Sequence, residues 1–539
     1  MCLVLIQLPK ALKLLPSQGL NNTWIIMDSA TKAEFNTEES NSSVNTIPTL
    51  TRTDNETQQN DSLVIESRGW GARHTLCVML FAACCVSFLS RVSLSIAIVA
   101  MVSHSSNATM FNSSVSDVCP SPNITDDGRS DLLEGEFDWD EPTQGLILGG
   151  FYYGYLVSNI FSGIITEYLG GRLAMAIAVL GSSLLCLINP VCARISVGLF
   201  IAVRVLAGLL QGPLVSATFY LMASWIPPQE KAKLCSITLT GSSIGTVLSM
   251  ALGGLMIGSN FLGGWPSVFY VFGAAGVLWT IPWLLLIHNS PDDHPSLSAS
   301  ELRYIKAQGS TLKGEKRIKI PWGKIATSLP FWSLMAVAWG NNFGFFNLLT
   351  EIPTYLKNIQ HFGIEDNGLL SALPYIVSTI FSICWGTFAS FLLRKNALSI
   401  IQVRKLSSSV AMFGPALALI TICFVDCNST LAVACLCISV GLNSASNSGA
   451  DITEQEIAPN LTALLKSITN SIGSVAGILA PSITGAITAG NQTLSAWRTV
   501  FGISALTYVI CCITYLIFGT VEVQSWNEPK QKQKEKDRY

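Results

Sequence analysis

After residue 70, long apolar stretches alternate with short polar segments along almost the whole chain. A helix that crosses the hydrocarbon core of a bilayer, about 30 Å thick, needs roughly 20 mainly apolar residues. Twelve stretches fit this requirement, and we number them as spans 1 to 12. The pattern predicts an all-α polytopic membrane protein with twelve transmembrane helices at residues 75–102, 143–166, 173–193, 197–224, 234–258, 266–288, 330–356, 367–393, 401–425, 429–450, 461–488 and 497–519.

The composition agrees with a chain that lies mostly in lipid. Charged residues make up 12% of the 539 residues, whereas soluble domains usually carry about 25%. This composition excludes a disordered chain, a collagen and a secreted disulfide scaffold, and it argues against an ordinary cytosolic enzyme. The net charge of −2 gives no reason to expect nucleic acid as a partner.

Lysine and arginine are concentrated in the loops that follow the even-numbered spans, and this bias places those loops and both termini in the cytoplasm. The longest of these loops is basic and divides the spans six and six, which suggests two related halves around a central cavity. The predicted organisation is a disordered cytoplasmic tail, a first six-helix half, a cytoplasmic central loop, a second six-helix half and a cytoplasmic C-terminal tail, at residues 1–70, 71–288, 289–329, 330–520 and 521–539.

Glycosylation sequons occur on both predicted sides, and we expect those in the tail and at Asn460 to be cytoplasmic and unmodified. Asn-X-Ser/Thr triplets occur in loops predicted to lie outside, at Asn107, Asn112, Asn123, Asn428 and Asn491. Most of the fifteen cysteines lie in apolar runs, where they behave as small hydrophobic residues. Cys119 is different, because it lies in the long first outer loop and is available to pair with either Cys192 or Cys427. The sequence does not decide between these partners, and no metal-binding spacing is present.

Two arginines lie at membrane depth, Arg91 in span 1 and Arg204 in span 4. A charge at the bilayer centre costs about 2.5–3.5 kcal/mol on insertion scales, so such a residue needs a partner, a cavity or a ligand. Two guanidinium groups in one cavity would suit a carboxylate or a phosphate, because the planar fork of donors matches either group. The alternatives are snorkelling of Arg91 to the outer surface and a fixed ion pair for Arg204.

One carboxylate also lies at membrane depth. Glu351 in span 7 follows Asn347 by one turn and precedes Pro353, which interrupts the backbone hydrogen bonds of the helix. A carboxylate beside freed carbonyls is suited to holding a proton or a sodium ion, and we predict Glu351 as an ion-coupling residue. The alternatives are a salt bridge to one of the arginines and a position at the helix end.

No catalytic motif accompanies these charges. The chain contains no H-E-x-x-H zinc motif, no G-x-S-x-G nucleophile motif and no P-loop, so we predict that it is not an enzyme and holds no cofactor.

Several segments together resemble the anion/cation symporter family of the major facilitator superfamily, which holds sialin, the vesicular glutamate transporters and the sodium-dependent phosphate cotransporters. The resemblance covers about residues 69–526. It rests on the segments SRVSLSIAIV, FDWD, RVLAGLLQG, SWIPPQE, LTEIPTY, LSALPY, VRK, EIAPN and VQSW, at residues 90–99, 137–140, 204–212, 224–230, 349–355, 370–375, 403–405, 456–460 and 523–526. The segment around Glu351 is similar to the invertebrate members named as inorganic phosphate cotransporters.

The resemblance implies the major facilitator fold, and it implies that Arg91 and Arg204 bind an anionic substrate. The chain also departs from the family pattern. Gln211 stands where many members have a glutamate, and Asn341 stands where the glutamate transporters have an arginine. These differences argue against vesicular glutamate transport and remove a span-4 carboxylate as a proton-coupling group. We expect Tyr155, Gln211 and Asn341 to line the substrate site together with the two arginines.

The sequence therefore predicts secondary active transport of a small anion, with sodium-dependent inorganic phosphate cotransport by alternating access as the leading hypothesis. A proton-coupled, sialin-like carrier of acidic sugars or acidic amino acids is the alternative, and a channel is a third, less favoured one. The predicted partners are the lipid bilayer, the anionic solute and a co-transported Na⁺ or H⁺. We expect a monomer in the plasma membrane rather than in a lysosome or vesicle, because the tail shows no clear acidic dileucine sorting signal.

Overall fold

The computed structural model describes residues 71–103, 119, 135–295, 297–307, 320–490 and 492–527. The predicted tail 1–70 and the sequons at Asn107, Asn112, Asn123 and Asn491 lie outside the described residues. Within them the secondary structure is helical, apart from an isolated bridge between Val102 and Phe137.

The described residues of the first half form seven α-helices. They are α1 Ala72–Met101, α2 Glu141–Leu169, α3 Gly171–Ile195, α4 Val197–Gln211, α5 Pro213–Trp225, α6 Pro228–Gly258 and α7 Pro266–Leu286. Helices α4 and α5 together correspond to predicted span 4. The helix is interrupted between them because Pro213 lacks the backbone N–H that would continue the hydrogen-bond ladder.

Two short helices in the central loop precede the second half. These are α8 Ala299–Ala307 and α9 Trp322–Ala326. The helices of the second half are α10 Leu329–Asn358, α11 Ile364–Arg394, α12 Ile400–Ile422, α13 Ser429–Asn443, α14 Ala450–Ile457, α15 Thr462–Thr488 and α16 Leu494–Phe518. Helix α13 corresponds to predicted span 10, and the 3₁₀ turn Ser444–Ser448 separates it from α14, which begins where that predicted span ends.

Ten helical segments of the described chain are long and apolar enough to cross a membrane. The two remaining predicted spans are α2 and α10, with 29 and 30 residues. At 1.5 Å per residue both are long enough to cross the bilayer core. The apolar character of α10 is lowered by polar residues that are buried inside the molecule, among them Asn347 and Glu351. The predicted all-α polytopic fold is therefore confirmed.

The two halves meet along two helix pairs, α2 with α15 and α6 with α11. Gly145 of α2 lies so close to α15 that a Cβ atom there would come within 2.5 Å of the Pro481 carbonyl oxygen, and Gly254 of α6 approaches Gly368 of α11 in the same way. Small residues at these positions let the helix backbones touch. These contacts lie toward the predicted outer ends of the four helices, so the structure corresponds to a state closed toward the outside.

A disulfide bond joins the two halves on the same side. Cys119 pairs with Cys427, with their Cα atoms 5.4 Å apart, and Cys192 is free and buried. This decides between the two partners that the sequence left open for Cys119. Disulfides persist in oxidising compartments, so the pairing agrees with the orientation derived from the loop charges.

The disulfide allows a direct test of that orientation. Cys427 is exposed, so the variant Cys119→Ser presents a free thiol on the predicted outer face. We expect a membrane-impermeant maleimide to label C119S in intact cells more strongly than the wild type, and the double variant C119S/C427S to return to the wild-type level. Labelling of C119S that appears only after the membrane is permeabilised would contradict the orientation.

Candidate functional site

Arg91 and Arg204 line one small cavity at the interface between the halves. The cavity is lined by residues of α1, α2, α4 and α10, namely Arg91, Val92, Ser95, Leu148, Phe151, Tyr152, Arg204, Leu349 and Thr350. One terminal nitrogen of Arg204, Nη2, donates a hydrogen bond of 3.3 Å to the carbonyl oxygen of Arg91. In this closed state the cavity has room for about one water molecule. The two guanidinium groups therefore share a void, as the sequence predicted.

Aromatic rings surround the guanidinium group of Arg91. Its central carbon lies 4.7–5.5 Å from the centres of five rings, those of Phe88, Phe151, Tyr152, Tyr155 and Phe346. An aromatic face attracts a cation through its quadrupole, and the attraction is stronger where water is excluded. Four of the rings belong to the first half, whereas Phe346 comes from α10. The rings hold Arg91 inside the molecule, so snorkelling to the outer surface is not observed.

Neither arginine has a carboxylate partner in the described part of the chain. The Nε atoms of Arg91 and Arg204 are both buried and form no hydrogen bond there. A buried charge without a partner is costly unless a ligand or water compensates it. The fixed ion pair considered for Arg204 is thus absent from the described structure, and the Nε donors of both groups have no partner there.

The other predicted substrate residues lie in three different places. Tyr155 is buried, and its ring belongs to the group around Arg91. Gln211 lies outside the cavity, where its Nε2 donates to Ser87 O at 3.4 Å and to Ser182 Oγ at 3.3 Å. Gln211 thereby connects α4 to α1 and α3, which fixes the helix that carries Arg204.

Asn341 lies in the second half and does not line the arginine cavity. Its Oδ1 accepts a hydrogen bond of 2.7 Å from Asn443 Nδ2, and its Nδ2 donates to Ser446 Oγ at 3.4 Å. Asn443 Nδ2 also donates to the Tyr508 hydroxyl. This network is polar but uncharged, so the positive charge of the site comes from the first half.

Glu351 is buried one residue beyond Thr350, which lines the cavity. The Thr350 hydroxyl donates to Glu351 Oε1 at 3.4 Å. Glu351 forms no salt bridge to either arginine in the described structure, and it lies inside α10 rather than at its end. Neither a salt bridge to an arginine nor a position at the helix end is therefore observed for Glu351.

Pro353 leaves a backbone carbonyl of α10 without its helical hydrogen bond. Proline has no N–H to donate to the carbonyl four residues earlier, which belongs to Leu349. Leu349 also lines the cavity. The Pro353 carbonyl is already engaged, because it accepts a hydrogen bond of 2.8 Å from Asn367 Nδ2. A carboxylate and a freed backbone carbonyl are both oxygen ligands of the kind that sodium and other hard cations prefer.

Phe151, Phe346 and Thr350 contribute to the site although the sequence did not indicate them. The arginines are visible in a sequence because charge is rare in apolar spans, whereas phenylalanine is common there and gives no such signal. Phe346 lies five residues before Glu351. Its place beside Arg91 can be recognised only once α10 is known to face α2.

Comparison with known proteins shows which family the chain resembles. The family model described as Major Facilitator Superfamily matches residues 80–481. The chain is 36% identical over 469 residues to a Drosophila melanogaster protein named "Putative inorganic phosphate cotransporter", covering 86% of this chain and 88% of that protein. It is also 36% identical over 456 residues to "Sialin" of Homo sapiens, covering 84% of this chain and 90% of that protein.

A solved structure shows the same fold. A bacterial homolog of the human lysosomal transporter Spinster, in an inward-facing and occupied conformation, matches with a TM-score of 0.62 over 83% of this chain and 96% of that chain. The two sequences are 15% identical, so this similarity concerns the fold alone.

Proposed function

Since the chain belongs to the anion/cation symporter group of the major facilitator superfamily, whose members are secondary transporters, we propose that it carries inorganic phosphate together with sodium by alternating access. Phosphate is the anion that the features of the site favour most. The coupling ion, the cargo and the membrane are all part of this proposal.

The observation that carries the proposal is the pair of unpaired guanidinium groups in one cavity. Arg91 and Arg204 together present a charge of +2 with no carboxylate partner among the described residues. A divalent phosphate compensates that charge, and its oxygens match the fork of donors on each guanidinium. The named similarity to an inorganic phosphate cotransporter supports the same cargo.

Glu351 is the proposed coupling residue. It directly follows Thr350, which lines the cavity, and we propose that the Leu349 carbonyl freed by Pro353 acts as a second oxygen ligand. A sodium ion bound there would place positive charge close to the bound anion, so each ion would favour the binding of the other. Gln211 supports sodium over protons in this scheme, because α4 offers an amide where a titratable carboxylate would be needed.

The arrangement of the halves suggests how the site is exposed in turn to each side. In this structure the outer ends of α2 and α15, and those of α6 and α11, are packed together. Opening toward the outside would separate Phe346 of the second half from Arg91 of the first. A rocking motion of two halves about a site between them is the alternating-access mechanism of such folds.

A proton-coupled carrier of acidic sugars or acidic amino acids is the second candidate. The observation that favours it is the identity to sialin, which equals the identity to the phosphate cotransporter. For a sodium–phosphate cotransporter we propose the plasma membrane as the location. A proton-coupled carrier of acidic sugars or acidic amino acids would suit a lysosomal membrane equally well.

Uptake into proteoliposomes separates the two candidates. We expect radiolabelled phosphate to accumulate when an inward sodium gradient is imposed and to fall to the level of empty liposomes when choline replaces sodium. A pH gradient without sodium is expected to have little effect. Accumulation of sialic acid or glutamate driven by the pH gradient, with no phosphate uptake, would instead support the second candidate.

A further inference from the structure

Three charged side chains form a cluster in the second half, at the end of the molecule predicted to face the cytoplasm. Asp451 and Glu454 are three residues apart in α14, which places them on one face of that helix. Lys466 of α15 faces both of them, with its Nζ 3.7 Å from Asp451 Oδ1 and 3.6 Å from Glu454 Oε2. None of the three residues lines the arginine cavity.

The charges of this cluster do not balance. Two carboxylates face one ammonium group, so the cluster has a net charge of −1 when all three groups are ionised. Only 4% of the Glu454 side chain is exposed, and its Oε2 is buried and accepts no hydrogen bond in the described structure. A buried carboxylate is stable in the ionised form only when it is paired and well hydrogen-bonded. Glu454 is therefore a buried carboxylate whose one ion-pair partner in the described structure, Lys466, is shared with Asp451.

Within the described part of the chain, no charged group besides Lys466 compensates Glu454. Arg404 of α12 is already bound to Glu456, with a distance of 2.8 Å between Nη2 and Oε1, and its Nη1 donates to the Ser448 carbonyl. The Tyr515 hydroxyl of α16 shares a hydrogen bond of 2.8 Å with Thr453. The titratable groups that face Glu454 are therefore Asp451 on the same helix and Lys466 on α15.

We propose that Asp451, Glu454 and Lys466 form a proton-binding site that is reached from the cytoplasm. The proton binds to the Glu454 carboxylate and leaves Asp451 and Lys466 as a neutral pair. Water reaches the site past Asp451 and Lys466, whose side chains are 39% and 37% exposed. The proton comes from this water and returns to it, so no other reactant is needed.

Protonation has a consequence for the transport cycle. The cytoplasmic end must close before the halves can open outward, and closing removes water from the cluster. Dehydrating a net charge of −1 is costly, whereas dehydrating a neutral cluster costs much less. Transport should therefore become faster as the cytoplasmic pH falls, whatever the identity of the cargo.

Infrared pH titration of the purified full-length protein in lipid nanodiscs tests the site without any transport assay. A carboxyl group that takes up a proton gains a carbonyl stretching band. We expect the wild type to gain such a band as the pH is lowered. E454Q should lack the part of the band that comes from Glu454, whereas E351Q should retain that part. The control E522Q removes an exposed carboxylate on the same predicted side and should behave as the wild type. An E454Q spectrum identical to that of the wild type would overturn the proposal.

A transport measurement then tests the consequence. Initial rates of phosphate uptake, or of whichever anion the liposome assay identifies, are measured at constant outer pH while the inner pH is varied. We expect the wild-type rate to rise about threefold or more from inner pH 8 to 6, and the E454Q rate to stay high at both values. If E454Q is poorly inserted, D451N replaces it, since it also removes the excess negative charge. A wild-type rate independent of inner pH, or a pH response retained in both variants, contradicts the proposed role.

Discussion

Replacing Arg204 with alanine is expected to reduce anion uptake about a hundredfold or more, because a hydrogen bond to a charged group contributes about 1.5–3 kcal/mol and Arg204 offers several. Arg204 is 4% exposed and has no carboxylate partner among the described residues, so its loss removes positive charge that only the cargo would compensate. Initial uptake rates at several anion concentrations, divided by the amount of protein at the membrane, measure the effect. R204K should recover part of the activity, since lysine keeps the charge but not the planar fork.

A matched control shows whether the effect is specific to the cavity. Arg498 forms an exposed ion pair with Asp426 near the predicted outer surface, and exposed pairs contribute little to stability. R498A should therefore transport at close to the wild-type rate. Arg91→Ala should resemble R204A, because Arg91 lines the same cavity. Uptake by R204A at the rate of R498A would exclude Arg204 from the substrate site.

Replacing Glu351 with glutamine is expected to remove the dependence of uptake on sodium. The amide has nearly the same shape as the carboxylate but no charge, and hence would bind a sodium ion far more weakly. We expect the stimulation of phosphate uptake by sodium, measured as the ratio of initial rates in sodium and in choline, to fall close to one. Exchange of phosphate across the membrane without a sodium gradient should persist, because the arginines are unchanged.

Glu365→Gln provides the control for this variant. Glu365 is exposed in the first turn of α11, and the same chemical change there should leave sodium stimulation intact. A normal sodium response in E351Q would remove Glu351 from the coupling scheme while leaving the arginine site untouched. Loss of all exchange in E351Q, at normal surface expression, would show instead that Glu351 supports anion binding.

The predictions for the arginine cavity and for the Glu454 cluster are independent of each other. The arginine and Glu351 variants test the cavity between the halves, whereas E454Q tests a cluster in α14 and α15. A protein that carries another anion would still show the infrared band of Glu454. A protein without that band would still require Arg91 and Arg204 for anion binding.

The sequence by itself determined the fold class, the positions of the helices and the rarity of charge at membrane depth. These features depend on local composition, since a span must be apolar over its whole length and a buried charge stands out against it. Arg91, Arg204 and Glu351 could be identified for this reason without any knowledge of contacts. The resemblance to a family added the expectation that both arginines bind an anionic substrate.

Only the tertiary structure decided which residues meet. The aromatic rings around Arg91, the pairing of Cys119 with Cys427 and the contact of Lys466 with two carboxylates join segments that are far apart in the chain or differ in no obvious way from their neighbours. The position of Gln211 outside the cavity likewise depends on how α4 is rotated against α1 and α3. Helix rotation and packing follow from the fit of many side chains at once, and no local pattern in the sequence records that fit.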